Sequence, residues 1–278
     1  MLFRSRYRGN RKYEWRIGET TDDTEQTIAV ARALLNTREA SHTEFGRELL
    51  KCRKSLHPGV KSLWSLHQSG DPSRTASDGD GCGASMRVAP VGVLYSPNPL
   101  EDLVRAARES SIPTLGGQLA ICAAAAVAAA ISAALEGWSA ADVMKLAIEA
   151  AQKAEASTPP LKGNATSTMA ASISKMHDDL SAHETFSASQ LAEKYMPDKP
   201  ETKVPLAINL ALLTKSSQRT ILLAANVGGD SDSVASIGGA IAAALRPDTI
   251  NDAWFDVVQA INQDGIVDTA KALARLRR

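Results

Sequence analysis

Two short runs rich in aspartate contain the residues best suited to chemistry. TDDT at 21–24 and GGDSDS at 228–233 each stand directly before an apolar segment of helical period. Carboxylates at a helix start often only complement the helix dipole, so a capping role stays open for either run alone. Together the two runs hold more oxygen-bearing side chains than capping requires, and their like charges repel each other. The two runs therefore predict a shared cation site.

The donor atoms in these runs favour a hard divalent ion. Mg²⁺ and Mn²⁺ prefer oxygen ligands in octahedral geometry. Gly228 and Gly229 would let the backbone approach an ion or a substrate phosphate closely. Zinc is disfavoured, because the five histidines show no HxxxH or HxH spacing and the three cysteines are scattered. The predicted oxygen ligands are Thr21, Asp22, Asp23, Asp230, Asp232 and Ser233.

A third candidate is the glycine-rich stretch 77–90, SDGDGCGASMRVAP. Its glycine density indicates a loop pressed against a ligand that runs into a helix, although it matches neither a P-loop nor a dinucleotide-binding motif. The alternative is a tight turn in which Arg87 pairs with a buried carboxylate. Cys82 has no histidine in a suggestive relation to it, so a small buried thiol is favoured over a nucleophile.

Helices must position these runs, since no convincing alternating strand occurs and only 91–95 is ambiguous. Helix starts are marked by a short polar residue with an acid or amide three positions later. The predicted fold class is a compact all-α assembly. The starts are predicted at Asp22, Ser41, Asn98 with Pro99 as first helical residue, Ser139 and Ser187.

Length and composition favour one domain over 1–278, because no Pro/Gly/Ser-rich linker divides the chain. A net charge of zero and an aromatic content of 4% argue against nucleic acid and anionic membranes as partners. The uncharged, alanine-rich run 119–135 predicts a buried core helix rather than a membrane span. An odd number of cysteines and no apolar signal segment near the first residue predict a cytoplasmic protein.

Three motifs in order, from about residue 18 to the C-terminus, resemble the ADP-ribosylglycohydrolase family: TTDDTEQTIAVARALL, GCGASMRVAPVGVLY and ANVGGDSDSVASIGGAIAAAL. The family includes the enzyme that removes ADP-ribose from dinitrogen reductase and the ADP-ribosyl-arginine and ADP-ribosyl-serine hydrolases. The resemblance implies an all-α fold with a centre of two Mg²⁺ or Mn²⁺ ions. Its ligands would be Thr21, Asp22 and Asp23 from the first motif and Asp230, bridging Asp232 and Ser233 from the last.

The resemblance also implies hydrolysis of the bond between ADP-ribose and an N- or O-linked group, on a modified protein or a small ADP-ribose-containing substrate. In the family the metals hold the ribose hydroxyls and orient water. Asp22, Asp23 and Asp232 would then be catalytic. Substrate binding would fall to Asp80, Gly81, Cys82, Gly83, Met86, Gly228 and Gly229.

The sequence departs from the family pattern at two places. Family members usually begin with a glycine-rich helix carrying a glutamate that is a metal ligand or base, and this chain is expected to lack that helix. The family's Thr-His pair is here Thr114-Leu115. Asp80 is a candidate substitute base, with a turn-stabilising aspartate as the alternative. Two rival functions stay open: a catalytically weak ADP-ribose-binding or structural protein, and an N-glycosidase of a free nucleoside or nucleotide.

Overall fold

The structure is a computed structural model that describes residues 16–56, 61–159, 168–183, 185–196 and 199–277. Within these ranges it contains helices and no strands, which confirms the predicted all-α class. The ambiguous stretch 91–95 lies largely in helix α5. The helices are α1 Asp22–Thr37, α2 His42–Leu49, α3 Lys61–Ser69, α4 Gly83–Met86, α5 Ala89–Leu94, α6 Leu100–Ser111, α7 Gln118–Leu135, α8 Ala140–Ser157, α9 Met169–Ser181, α10 Ala188–Lys194, α11 Pro200–Leu213, α12 Ser217–Ala224, α13 Ser231–Leu245, α14 Asp252–Asn262 and α15 Ile266–Ala274, with a 3-10 turn at Pro247–Thr249.

Helix α7 forms the centre of the fold. It packs against α4, α5, α6, α8, α11 and α13, and its side chains from Ala120 to Ala134 are buried. Of the described helices, it alone is long and apolar enough to cross a bilayer, yet 83% of it lies inside the protein. Its alanines permit close approach: a Cβ on Gly92 of α5 would come within 2.6 Å of the Ala128 carbonyl oxygen. The prediction of a core helix is confirmed.

Helices α1 and α13 are anchored to the same point of the chain. The hydroxyl of Thr27 in α1 donates to the Met86 carbonyl oxygen at 3.3 Å, and the hydroxyl of Ser236 in α13 donates to the same oxygen at 3.5 Å. Both hydroxyls lie in the second turn of their helix. The shared acceptor therefore holds the two helix starts close to each other.

Two predicted helix starts are confirmed in full. The hydroxyl of Ser139 accepts a hydrogen bond from the Asp142 backbone N–H, and Ser187 with Gln190 forms a complete capping box. Ser41 is the N-cap of α2 as predicted, although its side chain makes no capping bond.

Two other starts differ from the prediction by one residue. Helix α1 begins at Asp22 with Thr21 as its N-cap, and Pro99 is the N-cap of α6 rather than its first helical residue. The side chains of Asp22 and Asn98 therefore do not occupy the capping position that their residue types favour. In the case of Asp22, the carboxylate is left for other contacts.

Candidate active site

The starts of α1 and α13 bring four aspartates together. Asp22 and Asp23 lie in the first turn of α1, while Asp230 is the N-cap of α13 and Asp232 lies in its first turn. The side chains of the two N-cap residues, Thr21 and Asp230, make no capping hydrogen bond. Side-chain capping therefore does not account for Asp230, and the positive ends of two helix dipoles face the four carboxylates.

Asp23 is the most buried member of this acidic cluster, with 5% of its surface exposed. Burial raises its pKa well above the usual range, and the charges of Asp232, Asp22 and Asp230 raise it further. Oδ2 accepts a hydrogen bond from the Thr21 hydroxyl at 3.3 Å, whereas Oδ1 is buried without a hydrogen-bond partner. An unpartnered buried carboxylate oxygen among other carboxylates fits a bound cation.

Both oxygens of Asp22 have hydrogen-bond donors. Oδ1 accepts from the Ser55 hydroxyl at 2.9 Å, and Oδ2 accepts from the Gln26 side-chain amide at 3.2 Å. Burial raises the pKa of Asp22, and the Ser55 bond opposes that shift. Ser55 thus belongs to the site, although sequence reasoning missed it.

A short loop places Ser55 over the start of α1. The Glu25 carboxylate accepts the backbone N–H groups of Arg53 and Lys54, at 3.0 and 2.8 Å. Ser55 has a φ of +53°, a left-handed conformation unusual for a residue other than glycine. No local pattern in the sequence marks such a residue, so only the folded structure could reveal its role.

Asp230 differs from the other three aspartates because a lysine neutralises it. Nζ of Lys203, in α11, lies 2.5 Å from Oδ2, which also accepts the Cys82 thiol at 3.1 Å. Oδ1 accepts the Ser233 hydroxyl at 3.2 Å. Burial acts to raise the pKa of Asp230, but the hydrogen bond and charge of Lys203 outweigh it and hold that pKa below the usual value. Lys203 is the second residue that sequence reasoning missed.

Asp232 is hydrogen-bonded to its neighbour Asp230. Burial raises its pKa to about 6, and the hydrogen bond and charge of Asp230 contribute in the same direction. Because the pKa of Asp230 is held low, the proton shared by these two carboxyl groups resides on Asp232. Its Oδ1 also accepts the backbone N–H of Ser233 at 3.0 Å.

Cys82 lies buried between Lys203 and Asp230. Burial and the charge of Asp230 raise the pKa of its thiol to about 12, so the group is neutral and donates to the Asp230 carboxylate. A neutral buried thiol is a poor nucleophile. The structure therefore favours the buried-thiol alternative for Cys82.

The glycine-rich loop wraps around Leu115, which is 4% exposed. A Cβ on Gly79, Gly81 or Gly83 would lie 2.9, 3.7 or 3.4 Å from the Leu115 side chain. Gly79 has a φ of +94°, so its backbone also requires glycine. Leucine thus fills the space behind the loop at the position where the family pattern has histidine.

Asp80 points toward the start of α7. Its Oδ1 accepts the Leu119 backbone N–H at 3.0 Å, and a Cβ on Gly117 would collide with the same carboxylate. This placement favours the turn-stabilising alternative over a base for Asp80.

Arg87 does not form the pair with a buried carboxylate that the tight-turn alternative for 77–90 contained. It is fully buried, but the partners of its guanidinium are neutral rather than a carboxylate: Gln26 Oε1, the Ser110 and Ser111 carbonyls and the Thr114 hydroxyl. Burial lowers its pKa to about 10. Through these hydrogen bonds Arg87 connects α1 to the end of α6.

The remaining predicted substrate residues fall into two groups. Gly228 and Gly229 form an exposed turn before α13 with φ of +78° and +55°, which explains the glycines. Gly81 is exposed as well. Met86 is instead buried, with its sulfur 4.0 Å from the Ser233 hydroxyl.

Among the described residues, no group of three or more His, Cys, Asp and Glu side chains is already arranged around a metal position. In this structure Asp230 pairs with Lys203, and Asp22 accepts hydrogen bonds from Ser55 and Gln26. The orphaned oxygen of Asp23 is the observation that fits an ion. The two-ion centre stays a prediction.

Comparison with known proteins agrees with this architecture. A sequence model of the ADP-ribosylglycohydrolase family matches residues 3–278. The chain is 30% identical over 277 residues to the uncharacterized protein YegU of Escherichia coli K12, covering 94% of this chain and 81% of that protein. An uncharacterized protein of Archaeoglobus fulgidus is 28% identical over 256 residues, covering 86% of this chain and 75% of the relative.

A solved structure described as an ADP-ribosylglycohydrolase-related protein complex has the same fold. It superposes with a TM-score of 0.70 at 22% identity, covering 94% of this chain and 83% of that one. The chain therefore belongs to the ADP-ribosylglycohydrolase family, as its three motifs predicted.

Proposed function

We propose that this protein is a metal-dependent hydrolase that cleaves the glycosidic bond between ADP-ribose and an N- or O-linked group. Membership of the family makes a glycohydrolase the expected class of enzyme. The single observation that carries the metal-dependent proposal is Asp23, whose buried Oδ1 lacks a partner among three further carboxylates.

Six side chains would hold Mg²⁺ or Mn²⁺. When bound, the ions would hold the ribose hydroxyls and supply an activated water. Gly228 and Gly229 leave the approach to α13 open, because they form an exposed turn without side chains. The six ligands are Thr21, Asp22 and Asp23 at the start of α1 and Asp230, Asp232 and Ser233 at the start of α13.

The chain's own charges suit the departure of a group from an anomeric carbon. Positive charge develops on the ribose ring as the glycosidic bond breaks, and nearby carboxylates stabilise it. A carboxylate oxygen of Asp23 or Asp232 that does not bind the ion would accept the proton of the attacking water. Asp22 is held in place by Ser55 and Gln26.

A hydrolysis panel tests the proposal. Peptides carrying ADP-ribosyl-arginine or ADP-ribosyl-serine, and free nucleosides and nucleotides, are incubated with Mg²⁺, Mn²⁺ or EDTA, and released ADP-ribose is measured by chromatography. We expect metal-dependent release from at least one adduct, and a loss of about 10²- to 10⁴-fold in Asp232→Asn. ADP-ribose binding without turnover would instead establish the binding protein, and turnover confined to free nucleosides or nucleotides the N-glycosidase.

A further inference from the structure

Lys203 places a positive charge inside the acidic cluster. Its side chain is 12% exposed, its Nζ lies 2.5 Å from Asp230 Oδ2, and the same nitrogen lies 3.8 Å from the Cys82 sulfur. Val204, the next residue of α11, is fully buried, so the backbone that carries Lys203 is fixed in the core. The side chain is thus a lysine ammonium in direct contact with a carboxylate, an ion pair that geometry alone establishes.

The ammonium of Lys203 provides a positive partner for Asp230 but not for Asp23. Asp230 accepts the ammonium and the thiol through Oδ2 and the Ser233 hydroxyl through Oδ1, so both of its oxygens are engaged. Asp23 Oδ1, in contrast, is buried without a partner. A divalent ion at Asp230 would have to displace the ammonium and the thiol, whereas an ion beside Asp23 would displace neither.

From this asymmetry we infer that Lys203 takes the place of one of the two ions, so that the site binds a single divalent ion at Asp23 Oδ1, beside Asp232 and Asp22. The inference rests on the proposed metal site and narrows it to one ion, with Asp230 and Ser233 engaged by Lys203, Cys82 and each other instead of binding a second ion. Lys203 is then a positioning residue, which sets the metal content of the site and keeps Asp230 in place without touching the reacting atoms.

The test is the number of Mn²⁺ ions bound per chain, counted by electron paramagnetic resonance of free Mn²⁺ during titration of the full chain. We expect one ion for the wild type and one for Lys203→Arg, which keeps the charge. Lys203→Met should bind a second ion or hold Mn²⁺ at least about tenfold more tightly, because removing the ammonium leaves Asp230 uncompensated.

Lys194→Met is the matched control. Lys194 pairs with Asp179 at 2.6 Å on the surface of the protein, so its loss should leave Mn²⁺ binding unchanged. Circular dichroism checks that each variant is folded, and the wild-type and Lys203→Arg counts decide the matter even if Lys203→Met fails to fold. Two ions on the wild type would overturn the inference while leaving the proposed function intact. No bound ion on folded wild type would overturn both.

Discussion

The starts of α1 and α13 carry the same pattern, two aspartates within three residues, and yet their electrostatics are opposite. At α13, Asp230 has a lysine, a thiol and a hydroxyl as donors, and its pKa is held low. At α1, Asp23 has a single hydroxyl donor at 3.3 Å, and burial with three neighbouring charges raises its pKa well above the usual range.

The difference comes from helix α11 rather than from the motifs. Lys203 reaches Asp230 from 27 residues away in sequence, while the side chains described around Asp23 bring further negative charge. The two motifs therefore determine which carboxylates meet, and helix α11 determines which of them already has a positive partner. Replacing Asp230 or Asp23 by asparagine tests the paired and the unpaired carboxylate separately.

The largest expected effect is on the stability of the metal-free protein. Asp230→Asn should lower the free energy of unfolding by about 3 kcal/mol, because it leaves Lys203 without its counter-charge in a largely buried site. That value is at the low end of the range for buried pairs, since 29% of the Asp230 side chain is exposed. Asp23→Asn should have the opposite sign, because it removes a carboxyl group whose ionisation is opposed by burial and by three neighbouring carboxylates.

Thermal unfolding in EDTA measures both changes, with wild type as the reference. Equal destabilisation by the two variants would show that the surroundings of Asp23 do not disfavour its carboxylate. The proposed electrostatic difference between the two helix starts would then be wrong.

The second effect is that of metal removal. An ion present at about 100 times its dissociation constant stabilises the folded state by about 2.7 kcal/mol. For a chain of this size that amounts to a rise of roughly 5–10 °C in melting temperature. We expect EDTA to abolish this rise in the wild type and to have no effect on Asp23→Asn. Melting curves that ignore both Mn²⁺ and EDTA would contradict a metal site at α1.

Much of the fold followed from local chemistry in the sequence. The caps at Ser139 and Ser187 form because a hydroxyl satisfies an N–H of the first turn regardless of what packs around it. The aspartates of both helix starts were found for the same reason, since their types and spacing are local. Lys203 and Ser55 were not found, because a lone lysine or serine has no pattern and gains its role only when α11 and the loop before α3 reach the cluster.

The third effect is a dependence on pH that belongs to Asp232. Its pKa is about 6 in the folded protein and 3.8 in its ordinary environment. Below pH about 4 the group is protonated in both states and contributes nothing. Between about 4 and 6 the unfolded chain ionises first, so the folded state loses stability as pH rises, and the full cost, about 3 kcal/mol for a shift of about two pKa units, is present above 6.

Comparing wild type with Asp232→Asn isolates this group from all other carboxyl groups. In EDTA, the melting temperature of the variant should exceed that of the wild type by an amount that grows from near zero at pH 4 to a plateau above pH 6. With saturating Mn²⁺ at neutral pH, the wild type should instead melt at a higher temperature than Asp232→Asn, because a bound ion favours the ionised carboxylate. A difference that does not change with pH would show that Asp232 keeps an ordinary pKa.

The smallest effect concerns Asp80, a carboxylate outside the acidic cluster. It provides a contrast with the aspartates proposed to bind a cation, because its role is to accept a backbone hydrogen bond. Asp80 accepts the Leu119 backbone N–H at the start of α7, so Asp80→Ala should cost about 1 kcal/mol of stability, while Asp80→Asn keeps an acceptor oxygen and should cost less. Turnover per folded molecule should be unchanged in both variants, because the carboxylate is engaged with α7. Unfolding curves and hydrolysis rates on the same preparations distinguish a turn-stabilising carboxylate from a catalytic base.

A loss of about 100-fold in turnover for Asp80→Asn, with an unchanged melting temperature, would make Asp80 the base and move proton transfer from the acidic cluster to the glycine-rich loop.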